Sequence, residues 1–257
     1  MEERIESGLA FKTNAWPLDP RKPTLVFIHG AGNSNVLWNN QLKGLDDRRN
    51  MLALDLPGHG RSPGTGYTTV LDYARVVMDF LTRVEVPGPI PIGLSMGGAI
   101  TQQLLLDYPK NFLAGMLICT GARMKVMPVI FETIEKNYPA FVESFKQFAI
   151  SSKTDPALIQ PLLDDNLKCP PSVAFGDFQA CDRFDVRERL PEIKARVLVV
   201  TGEDDLLTPP KFGEFLADKI KGAQRVHIMN AGHLLPVEKP EDLNRAILQF
   251  LEGDPVQ

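Results

Sequence analysis

The stretch Ile90-Pro91-Ile92-Gly93-Leu94-Ser95-Met96-Gly97-Gly98 places a serine between glycines where an apolar run gives way to a helical pattern. The spacing G-x-S-x-G suits a sharp strand-to-helix turn that exposes the serine hydroxyl. Small flanking residues let the two backbones approach closely around a strained turn. Outward from this point, short apolar runs alternate with amphipathic helices, the βαβ pattern of a parallel sheet covered on both faces. Strands are expected over 25–29 (LVFIH), 51–55 (MLALD), 90–94 (IPIGL), 115–119 (GMLIC), 197–201 (VLVVT) and 225–229 (RVHIM). Each is a compact apolar run rather than a strict alternation, as buried parallel strands are. Helices are expected over 69–83, 96–107, 210–220 and 240–251; in the second, Ile100, Leu104 and Leu105 share one face. Residues 4–14 read as a hairpin turning at Ser7-Gly8. Proline lacks a ladder donor, so Pro89 and Pro91 predict that the strand before Ser95 begins near Pro91 or pairs poorly ahead of it.

One segment breaks the alternation. Between residue 123 and about residue 194 no good strand occurs, but Phe131, Ile134, Tyr138, Phe141, Phe145 and Phe148 recur at helical intervals. Pro128, Pro139, Pro156, Pro161, Pro170, Pro171 and Pro191 cut the segment into short pieces. The expected fold is therefore α/β: a mostly parallel twisted sheet with helices on both faces, and a helical cap inserted between strands. The core comprises 1–122 and 195–257, and the cap 123–194 covers the carboxyl edge of the sheet.

At 257 residues and 28.5 kDa the chain can bury one large core with a lid. Its net charge of −4 provides no basic footprint for nucleic acid. No run approaches the ~18 apolar residues of a membrane span. Residues 1–6 are polar and acidic and lack the apolar centre of a signal peptide. Cys119, Cys169 and Cys181 are odd in number and lack C-x-x-C spacing, so they read as small buried hydrophobes rather than as a disulfide framework or zinc site. A cytoplasmic protein is expected.

HGAG (29–32), DLPGHGRS (55–62), GLSMGG (93–98), GEDDLLTP (202–209) and NAGH (230–233), in that order, resemble the α/β-hydrolase fold family. The resemblance covers nearly the whole chain outside the cap. It implies a nucleophile, an acid and a base in the order Ser95, Asp205, His233. Serine is a weak nucleophile and needs a base beside it; imidazole titrates near neutral pH, and a carboxylate fixes its tautomer. Asp204 is the rival acid, since neighbours in an extended segment point to opposite sides. The implied oxyanion donors are the amides of Ala31 and Met96, and no cofactor or metal is implied.

Of the other histidines, His29 is expected to shape the oxyanion loop, His59 to stiffen a turn, and His227 to face the core or the cap. No two of the four histidines have an i, i+4 spacing suited to a metal. Trp38, Met124, Met127, Phe131, Phe141 and Phe145 are candidate substrate contacts, with a purely packed role as the alternative for each. The implied reaction is hydrolysis of a small-molecule carboxylic ester, small or medium in size and largely apolar. Thioester, lactone and carbon–carbon hydrolysis remain open because triad and fold do not fix substrate. The loop HGAGN lacks the Gly-Pro-Gly element common in carbon–carbon hydrolases, and a serine at the elbow disfavours dehalogenases and epoxide hydrolases. Two readings from other classes stand further off. One is a ligand receptor on this scaffold. The other is an NAD-dependent oxidoreductase, for which Gly30, Gly32 and Asp55 are superficially placed but Asn35 stands where a third glycine is needed.

Overall fold

A hairpin of β1 (Glu2–Glu6) and β2 (Leu9–Thr13) opens the chain, turning through Ser7 and Gly8 at φ values of 48° and 86°. The fold is seen in a computed structural model that describes residues 1–45 and 48–253. All six expected strands follow: β3 (Thr24–Ile28), β4 (Asn50–Asp55), β5 (Pro89–Leu94), β6 (Ala114–Ile118), β7 (Arg196–Gly202) and β8 (Gln224–Ile228). They form one sheet in the order β1-β2-β4-β3-β5-β6-β7-β8. β1 pairs antiparallel with β2 and β2 antiparallel with β4, and the remaining pairings are parallel.

Helices α1 (Asn39–Gly44), α2 (Val70–Arg83) and α3 (Met96–Asp107) precede β6. Between β6 and β7 come α4 (Pro128–Lys136), α5 (Tyr138–Phe148), α6 (Gln160–Asn166) and α7 (Pro171–Arg183). The chain then adds α8 (Pro210–Lys219), α9 (Leu235–Glu238) and α10 (Pro240–Glu252). Successive strand residues feed opposite faces. Leu25 and Phe27 pack in the layer that holds Leu42 of α1 and Ile247 of α10, whereas Val26 and Ile28 join Val77 of α2 and Ile100 of α3. Burial on both faces is why these strands read as continuous apolar runs. The edge strand β8 is the exception. It alternates, and His227 is exposed on it, sharing a 3.0 Å hydrogen bond with the Thr201 hydroxyl, rather than facing core or cap as expected.

The prolines of β5 are accommodated by one-sided pairing. Ser95 N donates to Ile118 O of β6, so by alternation the nitrogens of Pro89 and Pro91 lie on the same β6 edge. Pairing with β3 runs from Pro89 to Gly93, while pairing with β6 starts only at Ile92. The strand thus begins earlier than Pro91, and its missing donors fall where the second ladder has not started.

A buried carboxylate fastens α7 to the sheet. Asp177 Oδ2 accepts from Gly32 N (2.8 Å) and His59 Nε2 (2.8 Å), and Oδ1 accepts from the Tyr73 hydroxyl (2.5 Å). His59 Nδ1 faces Pro57 O at 3.1 Å, so both ring nitrogens meet acceptors and the imidazole is a cation. Burial alone would discharge it, but the Asp177 carboxylate holds the His59 pKa well above the usual imidazole range. Asp177→Ala removes the acceptor of Gly32 N, His59 Nε2 and the Tyr73 hydroxyl, leaves the buried imidazole to discharge, and is expected to lower the unfolding free energy in urea by about 3–5 kcal/mol. The stabilisation from His59 is complete below about pH 6.5 and is lost as pH rises through the raised folded value. Wild-type stability should therefore fall on the alkaline side, and that slope should flatten in Asp177→Ala. An unchanged slope counts against the ion pair.

Candidate active site

At the junction of β5 and α3, Ser95 takes φ 55° and ψ −116°, a conformation that costs a non-glycine residue about 1–3 kcal/mol. The neighbouring glycines explain how the chain reaches it. A methyl on Gly93 would lie 2.0 Å from Gly97 O, and one on Gly97 would lie 2.1 Å from Ile28 O. Two hydrogen bonds clamp the turn: Ser95 N to Ile118 O (3.0 Å) and the Thr120 hydroxyl to Ser95 O (2.8 Å). Among the described residues the Ser95 hydroxyl itself makes no hydrogen bond. It opens onto a cavity of about 730 Å³ that His233 also lines.

His233 follows β8 and is almost wholly buried. Its Nδ1 lies 2.9 and 3.1 Å from the two carboxylate oxygens of Asp205, beyond the end of β7. Asp205 also accepts from Leu207 N (2.9 Å), Thr208 N (2.9 Å) and the Thr208 hydroxyl (2.7 Å). Burial opposes ionisation of Asp205; the His233 imidazole and the Thr208 bonds outweigh it and hold the carboxyl below its ordinary pKa. The rival Asp204 turns away to accept from the Ser151 hydroxyl at 2.5 Å. The histidine loop is tied down twice more. His233 N and Leu234 N donate to Ala149 O (2.9 and 3.1 Å). The buried Glu238 carboxylate accepts from Gly232 N (3.0 and 3.1 Å), Ser151 N (2.8 Å) and the Thr154 hydroxyl (2.7 Å).

The loop after β3 lies beside the serine, and a methyl on Gly30 would sit 3.4 Å from Ser95 Cβ. His29 shapes it: Nε2 accepts from Leu56 N (3.0 Å) and Nδ1 donates to Gly30 O (2.8 Å), which fixes a neutral tautomer. Burial, and then the neighbouring His59 cation, push its pKa well below the usual range. Asp177 holds Gly32 N, and Asp55 holds Asn35 N (2.7 Å) and Arg61 N (3.0 Å). Those bonds occupy the Asp55 carboxylate in the interior, where it cannot meet a ribose. Among the described residues the amides of Ala31 and Met96 have no hydrogen-bond partner. Ala31 lines the cavity, and Met96 heads α3.

Met124, Met127, Phe141 and Phe145 line the cavity, together with Ile130, Phe148 and Phe178, which the sequence reading passed over as contacts. Two candidates are corrected. Trp38 is fully buried against Phe27, with ring centroids 5.1 Å apart, because its short helix backs onto the sheet. Phe131 packs its ring on Phe175 at 5.1 Å and does not reach the lining. Sequence reading also missed Asp177 and Glu238, whose backbone partners in the two loops lie 145 and 87 residues or as few as six away. Glu238 stands five residues after His233, and that short spacing was the one local signal available.

Among the described residues no group of three or more histidine, cysteine, aspartate or glutamate side chains is arranged to hold a metal. No helix among them is long and apolar enough to cross a membrane. The chain is 26% identical over 243 residues to a pimeloyl-[acyl-carrier protein] methyl ester esterase of Neisseria meningitidis serogroup B, covering 89% of this chain and 93% of that protein. It is 25% identical over 244 residues to 3-oxoadipate enol-lactonase 2 of Acinetobacter baylyi, covering 88% and 87%. Among solved structures, a thermophilic esterase from Thermogutta terrifontis superposes with a TM-score of 0.84 at 27% identity, covering 95% of this chain and 93% of that one. The model of the alpha/beta hydrolase family matches residues 25–246, and the chain belongs to that family.

Proposed function

We propose that the protein is a serine esterase that cleaves carboxylic esters of small or medium apolar substrates through an acyl-enzyme on Ser95. The observation that carries this reading is the buried Asp205–His233 pair, whose imidazole lines one largely apolar cavity together with Ser95. The esterase relatives support it, and a lactone, being a cyclic ester, would be opened by the same steps. Ser95 attacks the ester carbonyl while His233 accepts its proton. Asp205 keeps Nδ1 protonated, so that Nε2 faces the serine, and stabilises the imidazolium as it forms. The amides of Ala31 and Met96 receive the oxyanion, the latter aided by the dipole of α3. His233 then protonates the leaving alcohol and activates the water that releases the acid. Helices α4 to α7 act as the cap that supplies the apolar wall and keeps bulk water from the acyl-enzyme. Three buried cysteines that form no disulfide suit a reducing cytoplasm, where we assign the protein.

Ser95→Ala is expected to abolish turnover of aryl esters and labelling by a fluorophosphonate, while leaving the thermal unfolding curve cooperative. Undiminished hydrolysis in that variant places the chemistry elsewhere. Asp205→Asn should lower kcat by about 10⁴ with geometry retained, as loss of tautomer control does in triads of this kind. A loss below tenfold means that Asp205 does not orient the base.

A further inference from the structure

Four cations reach the lining of the cavity, Arg123, Lys125, Arg187 and Lys211, and among the described residues no aspartate or glutamate does. The overall charge of −4 makes that asymmetry local to the site. All four are exposed, so they meet the cavity where it opens to solvent. Arg123 and Asp185 pair as an isolated antiparallel bridge, and a methyl on Gly121 would lie 3.0 Å from the Phe212 ring. These contacts join the segment after β6, the turn after α7 and the start of α8. The wall contributed by α5, with Phe141, Phe145 and Phe148, is uncharged.

The cations are only partly neutralised. Asp182 lies 3.1 Å from Lys125, and Asp185 lies 2.8 Å from Arg187 and 3.8 Å from Arg123. Asp182, Asp185 and Glu188, which also acts on Arg187, against four cations still leave a positive surplus, and the Lys211 ammonium has no ion pair or hydrogen bond among the described residues. A cleft lined by one sign of charge raises the local concentration and arrival rate of an oppositely charged substrate by about 10–10³. A carboxylate held at the mouth keeps part of its hydration, so it escapes the cost of full burial while the chain behind it enters the apolar interior.

We propose that this site takes esters carrying a carboxylate at the end remote from the scissile bond, half-esters of dicarboxylic acids, and that Lys211 selects for that charge. The proposal rests on the reading of Ser95 as the nucleophile of an esterase. For a methyl half-ester, water adds to the acyl carbon, methanol leaves, and the new carboxylic acid releases one proton that can be counted in a pH-stat.

The test compares monomethyl adipate with methyl hexanoate, and monomethyl suberate with methyl octanoate, so that each pair shares its acyl length. The expected result is a kcat/KM at least tenfold higher for the half-ester at one or both lengths, carried by KM. Lys211→Glu should shrink that ratio about tenfold, and Lys211→Gln by less. About 0.5 M sodium chloride should shrink it too, because the charges sit at the wet mouth. A ratio at or below one at both lengths, or a ratio that Lys211→Glu leaves in place, overturns the proposal while the esterase reading stands. No hydrolysis of any of the four esters, with no phosphonate labelling of Ser95, overturns both.

Discussion

Where β5 passes into α3, three backbones run so close together that Gly93 and Gly97 can carry no side chain, and the residue between them must turn to a positive φ. The conformational cost at Ser95 is met by surroundings that leave no alternative: the ladder to β6, the Thr120 hydroxyl on its carbonyl, and the Ile28 carbonyl against Gly97. Everything else in the site is placed relative to this turn. His233 arrives from the loop after β8, Asp205 from the end of β7, and the Gly30-Ala31 loop from the end of β3. All four lie at the carboxyl edge, because parallel strands end there together.

Loops at such an edge would be soft without internal anchors, and here those after β3, β4, β7 and β8 are pinned by buried carboxylates that accept backbone amides. Asp55 holds Asn35 and Arg61, Asp177 holds Gly32, Asp205 holds Leu207 and Thr208, and Glu238 holds Gly232 and Ser151. Hydrogen bonds to an ionised acceptor are roughly twice as strong as neutral ones. The carboxylates therefore fix loop geometry while leaving the amides of Ala31 and Met96 unclaimed.

Much of this was legible in the sequence, for physical reasons that differ by element. The central strands announce themselves because burial on both faces demands unbroken apolar runs, and the ordered motifs fix which loop follows which strand. Of the two outcomes that Pro89 and Pro91 predict for β5, poor pairing ahead of Ile92 is the one found, and it is confined to the β6 edge because only that edge lacks donors. His227 was misread because β8, at the sheet edge, has an open face. Trp38 and Phe131 show the limit of periodicity, which marks a buried face without saying what buries it. Asp177 was invisible for a deeper reason. Its partners Gly32, His59 and Tyr73 come from three separate segments, and nothing in the α7 sequence distinguishes an inward aspartate from a solvated one.

The bonds from His233 and Leu234 to the carbonyl of Ala149 have a bearing on how such a scaffold can change its diet. Ala149 caps the C-terminus of α5, so one wall of the cavity and the imidazole that lines it share a fastening. A transplant of residues 123–194 from another hydrolase would bring new walls but also a new tether for His233. Grafts that keep 149–151 and vary α4 or α6 leave that tether intact. New selectivity is therefore most accessible to this chain through partial replacement of the helices between β6 and β7.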